Sequence, residues 1–433
     1  MLRINFTKKS IKTIPQSAGV YLFKDKQNTV IYVGKAKNLK NRLETYFLKD
    51  LEPKTSRVVK ATKTFSFIAV NSEFEALLLE AKLVRKYQPK YNIQLKDDKS
   101  PIYVGITKEE YPRVILLRKT QLDNQKLEYT FGPFINSSQI KNFLKFVRRT
   151  FPFSTHKPGR RPCIYSQLGL CEPCPSKIIN TPSNHLKISL QKKYRKNIKG
   201  VVQTFKGKFT QLKNSLEKQM HLFASKNNFE EAQKIRAKIK ILEHISAPKS
   251  SIDSYIENPN FLEDIRKKET LKLKQLLFPF LKISKIERIE CFDVSHTFGS
   301  YPTASMVTFI KGIPEKNLYR RFAISTKKLS DVKMLQEVFV RRKKHFEDWG
   351  RPDLIVVDGG KPQLSAAFCV FSGEIAVIGL AKRLEKIILK TQEGFKELSP
   401  KGEALYLLQR LRDEAHRFAK SYHKKLIFKA LKS

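Results

Sequence analysis

Residues 19–23 and 30–34, GVYLF and VIYVG, are two β-branched and aromatic runs separated by the polar, turn-like KDKQN. Two such runs joined by a short polar turn predict an antiparallel hairpin. A helix is predicted next, with Asn38 as its cap and Leu39, Leu43 and Phe47 one turn apart. A further strand, TFSFIAV at 64–70, leads into a helix from about Ser72 to Tyr87. Together these form a small α/β domain, for which we set the bounds 1–100.

At 433 residues the chain is too long for one compact core, so several modules are expected. Residues 101–153 read as a short mixed extension, and 154–185, rich in Pro, Gly and Cys, as a loop-dominated connector. Extension and connector together span 101–200, and a basic helical stretch spans 201–247. After the polar stretch 246–260 comes a second α/β domain, 260–433. Its strands RIECFDV and DLIVVD are apolar enough to be buried on both faces. No internal repeat is evident.

The balance of 85 Lys and Arg against 40 Asp and Glu, a net charge of +45, implies a polyanionic partner. A membrane surface is the rival polyanion, but the apolar run IAVIGLA (375–381) is too short to span a bilayer. The N-terminus has no apolar export segment, and five cysteines do not make a secreted disulfide framework. A cytoplasmic protein is expected.

The hairpin and its helix carry Tyr21, Tyr32, Lys35 and Arg42. Tyrosines can handle a proton, and Lys35 is well placed by sequence to lower their pKa. Arg42 can grip a phosphate through a forked contact. In the helix 72–87, Glu80 is ringed by Ala76, Leu77, Leu83 and Val84. A carboxylate in such company needs a cation: either Arg85 or a lysine, or a divalent metal. Beside the tyrosine, lysine and arginine set, Mg²⁺ or Mn²⁺ is the better match.

The segments GVY (19–21) and YVG (32–34), with Lys35, Arg42, Tyr46, Glu80 and KYN (90–92), resemble the GIY-YIG nuclease family. GKAKNLKNRL and EALLLEAKLVRKYQPKYNIQLKDD are more narrowly similar to the first domain of the UvrABC system protein C family, the incising subunits of bacterial nucleotide excision repair. The resemblance implies that Tyr21, Tyr32, Lys35, Arg42 and Glu80 are catalytic, with Tyr46 and Asn92 in support.

RPCIYSQLGLCEPC supplies Cys163, Cys171 and Cys174, with His156 seven residues upstream. Three thiols and an imidazole suit tetrahedral Zn²⁺ or an iron–sulfur cluster. The resemblance implies four cysteines and an iron–sulfur cluster. His156 stands where the leading cysteine belongs, and Cys171 and Cys174 are one residue closer than usual.

Leu216, Met220, Phe223 and Ala224, a turn at SKNN, then Phe229, Ala232, Arg236 and Ile239 predict two facing apolar stripes. So small a hairpin leaves faces that want a partner, unless it packs on flanking domains. Its sequence resembles the UVR motif, which implies docking on UvrABC system protein B.

Asp293 ends RIECFD and Asp358 ends DLIVVD. Carboxylates leaving neighbouring strands can share divalent ions, and DGGK beside Lys361 reads as a phosphate-sized nest of amides. His416 projects away from the helical stripe Leu407, Leu411, Ala415, Phe418 and Tyr422, beside Arg412 and Lys420, so it is not a core histidine. IECFDVSH, VVDGGKPQL and RDEAHRFA resemble the ribonuclease-H-like endonuclease domain of the same family. The resemblance implies a metal-binding set of Asp293, Asp358 and His416. It matches Asp331 to one of two family aspartates and puts Ser330 in place of the other.

The expected fold is multidomain α/β: a GIY-YIG domain, a Cys-containing connector, a UVR hairpin and a ribonuclease-H-like domain. The expected activity is dual incision of damaged double-stranded DNA with Mg²⁺ or Mn²⁺, with no membrane involved. The family's helix-hairpin-helix elements do not appear in the sequence, so duplex binding would lean on basic surface and on the partner protein. A catalytically weak DNA-binding scaffold and a branched-DNA resolvase are the rival readings.

Overall fold

A computed structural model of the chain describes residues 3–94, 101–245, 252–295, 303–324, 331–381, 386–391 and 393–430. They divide into two compact units, Met1–Leu262 and Glu263–Ser433.

The first unit opens with an antiparallel sheet ordered β1 (Ile4–Asn5), β4 (Thr64–Ala69), β2 (Gly19–Lys24), β3 (Val30–Ala36). The hairpin pairs Tyr21 with Gly34 and Phe23 with Tyr32. Alternate residues of β2 feed two cores: Val20 and Leu22 join one, Tyr21 and Phe23 the other. Asn38 caps the helix Leu39–Glu44 by accepting from the Asn41 amide at 3.1 Å. Ser72 caps Glu73–Tyr87 in the same way, through the Glu75 amide at 3.1 Å.

A second sheet, ordered β6 (Val114–Arg118), β5 (Ile102–Thr107), β7 (Leu127–Phe134), follows with the helix Ser137–Thr150. Extension, connector and hairpin share one core with the first domain: Leu79, Val104, Phe143, Ile178, Val201, Leu212 and Ile239 belong to a single cluster. The hairpin helices Phe209–Ser225 and Phe229–Ile245 pack on each other and into that cluster. Its second stripe is Ala232, Ile235, Ile239 and Leu242, whereas Arg236 and Phe229 are exposed. The predicted stripe erred at Arg236: a core-facing position can fall at either i+3 or i+4 from the last, and only packing decides. The hairpin's inner faces are therefore already covered within this unit.

The second unit is built on an eight-stranded sheet. Its strands are β8 (Arg288–Ser295), β9 (Thr303–Ile310), β10 (Ile313–Pro314), β11 (Arg320–Ala323), β12 (Leu354–Val357), β13 (Ala376–Ala381), β14 (Lys386–Thr391) and β15 (Gly394–Leu398). β8, β12 and β13 run parallel at its centre, and β9 and β14 flank them antiparallel. Helices cover both faces. Glu403–Ala430 packs through Leu407, Leu411 and Ala415 against Cys291 and Val356. Asp331–Lys344 and Lys361–Phe371 pack against Phe292, Ile355 and Val357 on the other side.

A buried ion pair lies on that other face. Arg342 grips Glu290 bidentately, Nε to Oε2 at 2.8 Å and Nη2 to Oε1 at 2.7 Å, with both side chains fully buried. Arg288 adds bonds of 3.0 and 2.8 Å to the same Oε1. Removing one partner leaves a buried charge under-compensated. Arg342→Met is expected to lower the unfolding free energy of this unit by about 3 kcal/mol. Denaturant titration followed by fluorescence of the single tryptophan, Trp349, measures it. A loss below about 1 kcal/mol would show that Arg288 alone compensates Glu290.

Candidate active sites and metal centre

In the first unit the hairpin and the helix after it bring three phenols and a guanidinium together. The hydroxyls of Tyr21 and Tyr46 lie 2.6 Å apart, and Arg42 Nε–H donates to the Tyr21 oxygen at 3.4 Å. The Arg42 guanidinium lies 5.1 Å from the centre of the Tyr46 ring. The Tyr32 ring is 6.2 Å from that of Tyr21. Gly34, opposite Tyr21, is required by this packing: a Cβ there would stand 2.4 Å from the Tyr21 hydroxyl oxygen.

Electrostatics correct one expectation. Burial pushes both Tyr21 and Tyr32 above the ordinary tyrosine range, and the cation opposing that shift in both is Arg42. The leading influences on the two phenols do not include Lys35; burial lowers its own pKa, against the pull of Glu80 and Glu73. The two phenols are therefore neutral at ordinary pH. The reason is geometric: Lys35 and Tyr32 differ by three positions along β3, so their side chains leave opposite faces of the sheet.

Glu80 and Asn92 meet β3 from its free edge. The Lys35 amide donates to Glu80 Oε1 at 3.0 Å. Asn92 takes both main-chain groups of Val33, accepting from its N–H at 2.7 Å and donating to its carbonyl at 2.7 Å. These two side chains thus satisfy strand groups that would otherwise go unpaired. This linkage was not read from the sequence; the spacing of KYN after the helix was its one visible trace. Glu80 is buried, which pushes its pKa up to about 7 despite the Lys35 charge and amide. Its charge also acts on Tyr32, so carboxylate and phenols share one electrostatic site.

In the second unit Val357 registers with Phe292 on parallel strands, and the Asp358 amide donates to the Phe292 carbonyl at 3.0 Å. Asp358 therefore falls opposite Asp293, one strand spacing of about 4.8 Å away. Both carboxylates act on the buried thiol of Cys291, which burial above all raises. His416 Nδ1 lies 3.5 Å from Asp293 Oδ2; Asp293 is buried and His416 about half exposed. Asp293 does not end its strand: β8 continues through Ser295. The nest read from DGGK is not available either. Gly359 N–H donates to the Val357 carbonyl at 2.9 Å and Gly360 N–H to Gln363 Oε1 at 3.0 Å, so both amides are engaged. Ser330 and the side chains of Asp331, Lys420 and Tyr422 lie outside the described residues.

The connector brings His156, Cys163, Cys171 and Cys174 together, their ligand atoms all within 4.8 Å of one another. Arg148 ties this loop to the helix Ser137–Thr150, donating to the Leu170 carbonyl at 2.9 Å and stacking 4.3 Å from the Tyr165 ring centre. From the other side Asn197 donates to the Glu172 carbonyl at 3.0 Å. Burial would raise the Cys174 thiol, but the amides of Cys163, Ser176 and Lys177 outweigh it and hold the pKa low. Burial raises Cys171.

The family models that match are the UvrC-like GIY-YIG domain over residues 17–93, the UvrB/uvrC motif over 210–245 and the UvrC RNAse H endonuclease domain over 279–419. UvrABC system protein C of Methanospirillum hungatei JF-1 is 32% identical, covering 98% of this chain and 99% of the relative. That of Carboxydothermus hydrogenoformans is 31% identical over 98% and 90%. Among solved structures, the magnesium-bound GIY-YIG endonuclease domain of UvrC from Thermotoga maritima is 44% identical over 19% of this chain and 92% of that one, with a TM-score of 0.18.

The Glu80 environment has a pH consequence. Its folded pKa of about 7 exceeds the ordinary 4.5, so the folded chain holds that proton more tightly. The stability it contributes is complete below pH 4.5 and is lost as pH rises through about 7. Relative to Glu80→Gln in metal-free buffer, the unmutated chain is expected to lose up to about 3 kcal/mol across that window. Parallel stability curves for the two proteins would refute the assignment.

Proposed function

The chain belongs to the UvrABC system protein C family, and from that membership we propose how its two units divide the work. It is an endonuclease acting in nucleotide excision repair. In our reading the first unit cuts 3′ of a lesion and the second cuts 5′. The observation that carries this is the presence of two separate acid sets, each assembled inside its own unit: Glu80 beside the phenols and Arg42, and Asp293 with Asp358 and His416.

The donor sets fit hard divalent cations: oxygens at Glu80, and two carboxylates with an imidazole in the second unit. Glu80 held near neutrality by burial gains most from such a charge. When bound at these residues, Mg²⁺ or Mn²⁺ would supply positive charge against the scissile phosphate and activate water. The protein's own groups do the rest. Arg42, fixed by Tyr21 and Tyr46, orients the phosphate. Tyr21, bonded on one side to Tyr46 and on the other to Arg42, is the phenol placed to pass a proton. Lys35 adds charge beside Glu80, and Tyr32 walls the pocket. His416, half exposed and 3.5 Å from Asp293, adds an imidazole to that donor set.

The basic surplus binds damaged double-stranded DNA along its phosphates. Exposed Leu222 and Phe229 flank the hairpin turn and offer UvrABC system protein B an apolar contact. We place the protein in the cytoplasm; among the described residues no helix is long and apolar enough to cross a membrane.

An end-labelled lesion duplex, incubated with the damage-loading partners, this protein and Mg²⁺, tests the division. Arg42→Ala is expected to lose the 3′ cut by at least about 100-fold and keep the 5′ cut, and Asp293→Ala the reverse. No cut by the unmutated protein would favour the scaffold reading. Loss of both cuts in either variant would refute independent sites.

A further inference from the structure

We propose that this chain's connector holds a single zinc ion, bound tetrahedrally by His156 Nε2 and the sulfurs of Cys163, Cys171 and Cys174, in place of the iron–sulfur cluster that its resemblance implies. The proposal does not depend on which unit makes which cut.

Spacing carries the argument. Four ligands on one zinc, with bonds of about 2.3 Å to sulfur and about 2.0 Å to nitrogen, stand roughly 3.5–3.8 Å from one another. The Cys163 and Cys174 sulfurs are 3.9 Å apart, and all four ligand atoms fall within 4.8 Å. A four-iron cluster gives each ligand its own iron. That widens every ligand pair by a metal–metal separation of roughly 2.5 Å, to more than 6 Å. A two-iron cluster widens the pairs that span its two irons in the same way. The four donors cannot surround either cluster without moving apart, yet they close on one ion with little change.

The imidazole is set for the same role. His156 Nδ1 lies 2.7 Å from the Lys157 carbonyl oxygen, which fixes the proton on Nδ1. Nε2 is buried with no hydrogen-bond partner and is left with its lone pair. A carbonyl fixing the far nitrogen of a ligating histidine is the usual outer arrangement of a zinc site.

Such an ion acts as a clamp. Residues 156–174 contain one short helix, Ile164–Gln167, and hold to the rest of the unit through hydrogen bonds from Arg148, Asn180 and Asn197 and with Ser154 and Ser176. Closing a loop of this length around a metal replaces the core it lacks.

The test is metal content and spectroscopy on the full chain purified without oxygen or chelator. The expected result is one zinc per chain, no acid-labile sulfide and no broad visible band. After zinc is exchanged for Co²⁺, the absorption bands of tetrahedral cobalt with thiolate charge transfer are expected. His156→Ala is expected to lower zinc affinity by about 100-fold. His156→Cys keeps zinc and raises the cobalt–thiolate charge-transfer intensity by about a third, as four thiolates replace three. Iron with stoichiometric sulfide would overturn the proposal, as would a chain that binds neither zinc nor tetrahedral cobalt. If His156→Ala fails to fold, the unmutated chain and the cysteine variant still decide. The incision assay reads the two cutting sites independently, so its failure leaves this result standing.

Discussion

A carboxylate enters an apolar interior only with a donor or a cation to meet it, and this constraint organises both units. Glu75 takes the Asn71 amide at 2.9 Å and the Tyr255 hydroxyl at 3.1 Å. Glu269 is gripped by Arg266 and Arg410, and Glu290 by Arg288 and Arg342. These are structural carboxylates, held by guanidinium forks or by paired donors. Glu80 is held differently, by one main-chain amide and a partly buried lysine. Burial pushes its pKa up to about 7, so unlike an ordinary carboxyl it still holds a proton close to neutral pH.

The same constraint explains what could be read from the sequence. Glu80 stood out because four apolar residues surround it at helical spacing, and that pattern survives folding unchanged. The hairpin, its Asn38 cap and the apolar runs of β8 and β12 were legible for the same reason: each rests on neighbours close in the chain. What escaped depends on partners far away. Which cation faces the phenols turned on the pleat of β3, where Lys35 lies three positions on from Tyr32. The amides of Gly359 and Gly360 were spoken for by Val357 and by Gln363, a side chain in the following helix. The connector read as loop because its support comes from Arg148 and Asn197, on helices before and after it.

The hairpin illustrates how a local pattern can be right in kind and wrong in direction. Two apolar stripes at helical spacing do face each other across the turn. Yet most of their surface is spent inside the first unit, through Leu212, Leu216, Ile235, Ile239 and Leu242. What remains for another protein is the tip, where Leu222 and Phe229 stand in solvent. An isolated hairpin would expose far more apolar surface than the same helices do here.

Asn92 has one more effect. A strand at the margin of a sheet is a template on which another chain can add itself, through aggregation or by exchange of segments. By occupying both main-chain atoms of Val33, and with Glu80 on the next outward amide, this side chain blocks that template where the phenols are carried. The sheet that carries Tyr21 and Tyr32 is thus kept from growing at that edge.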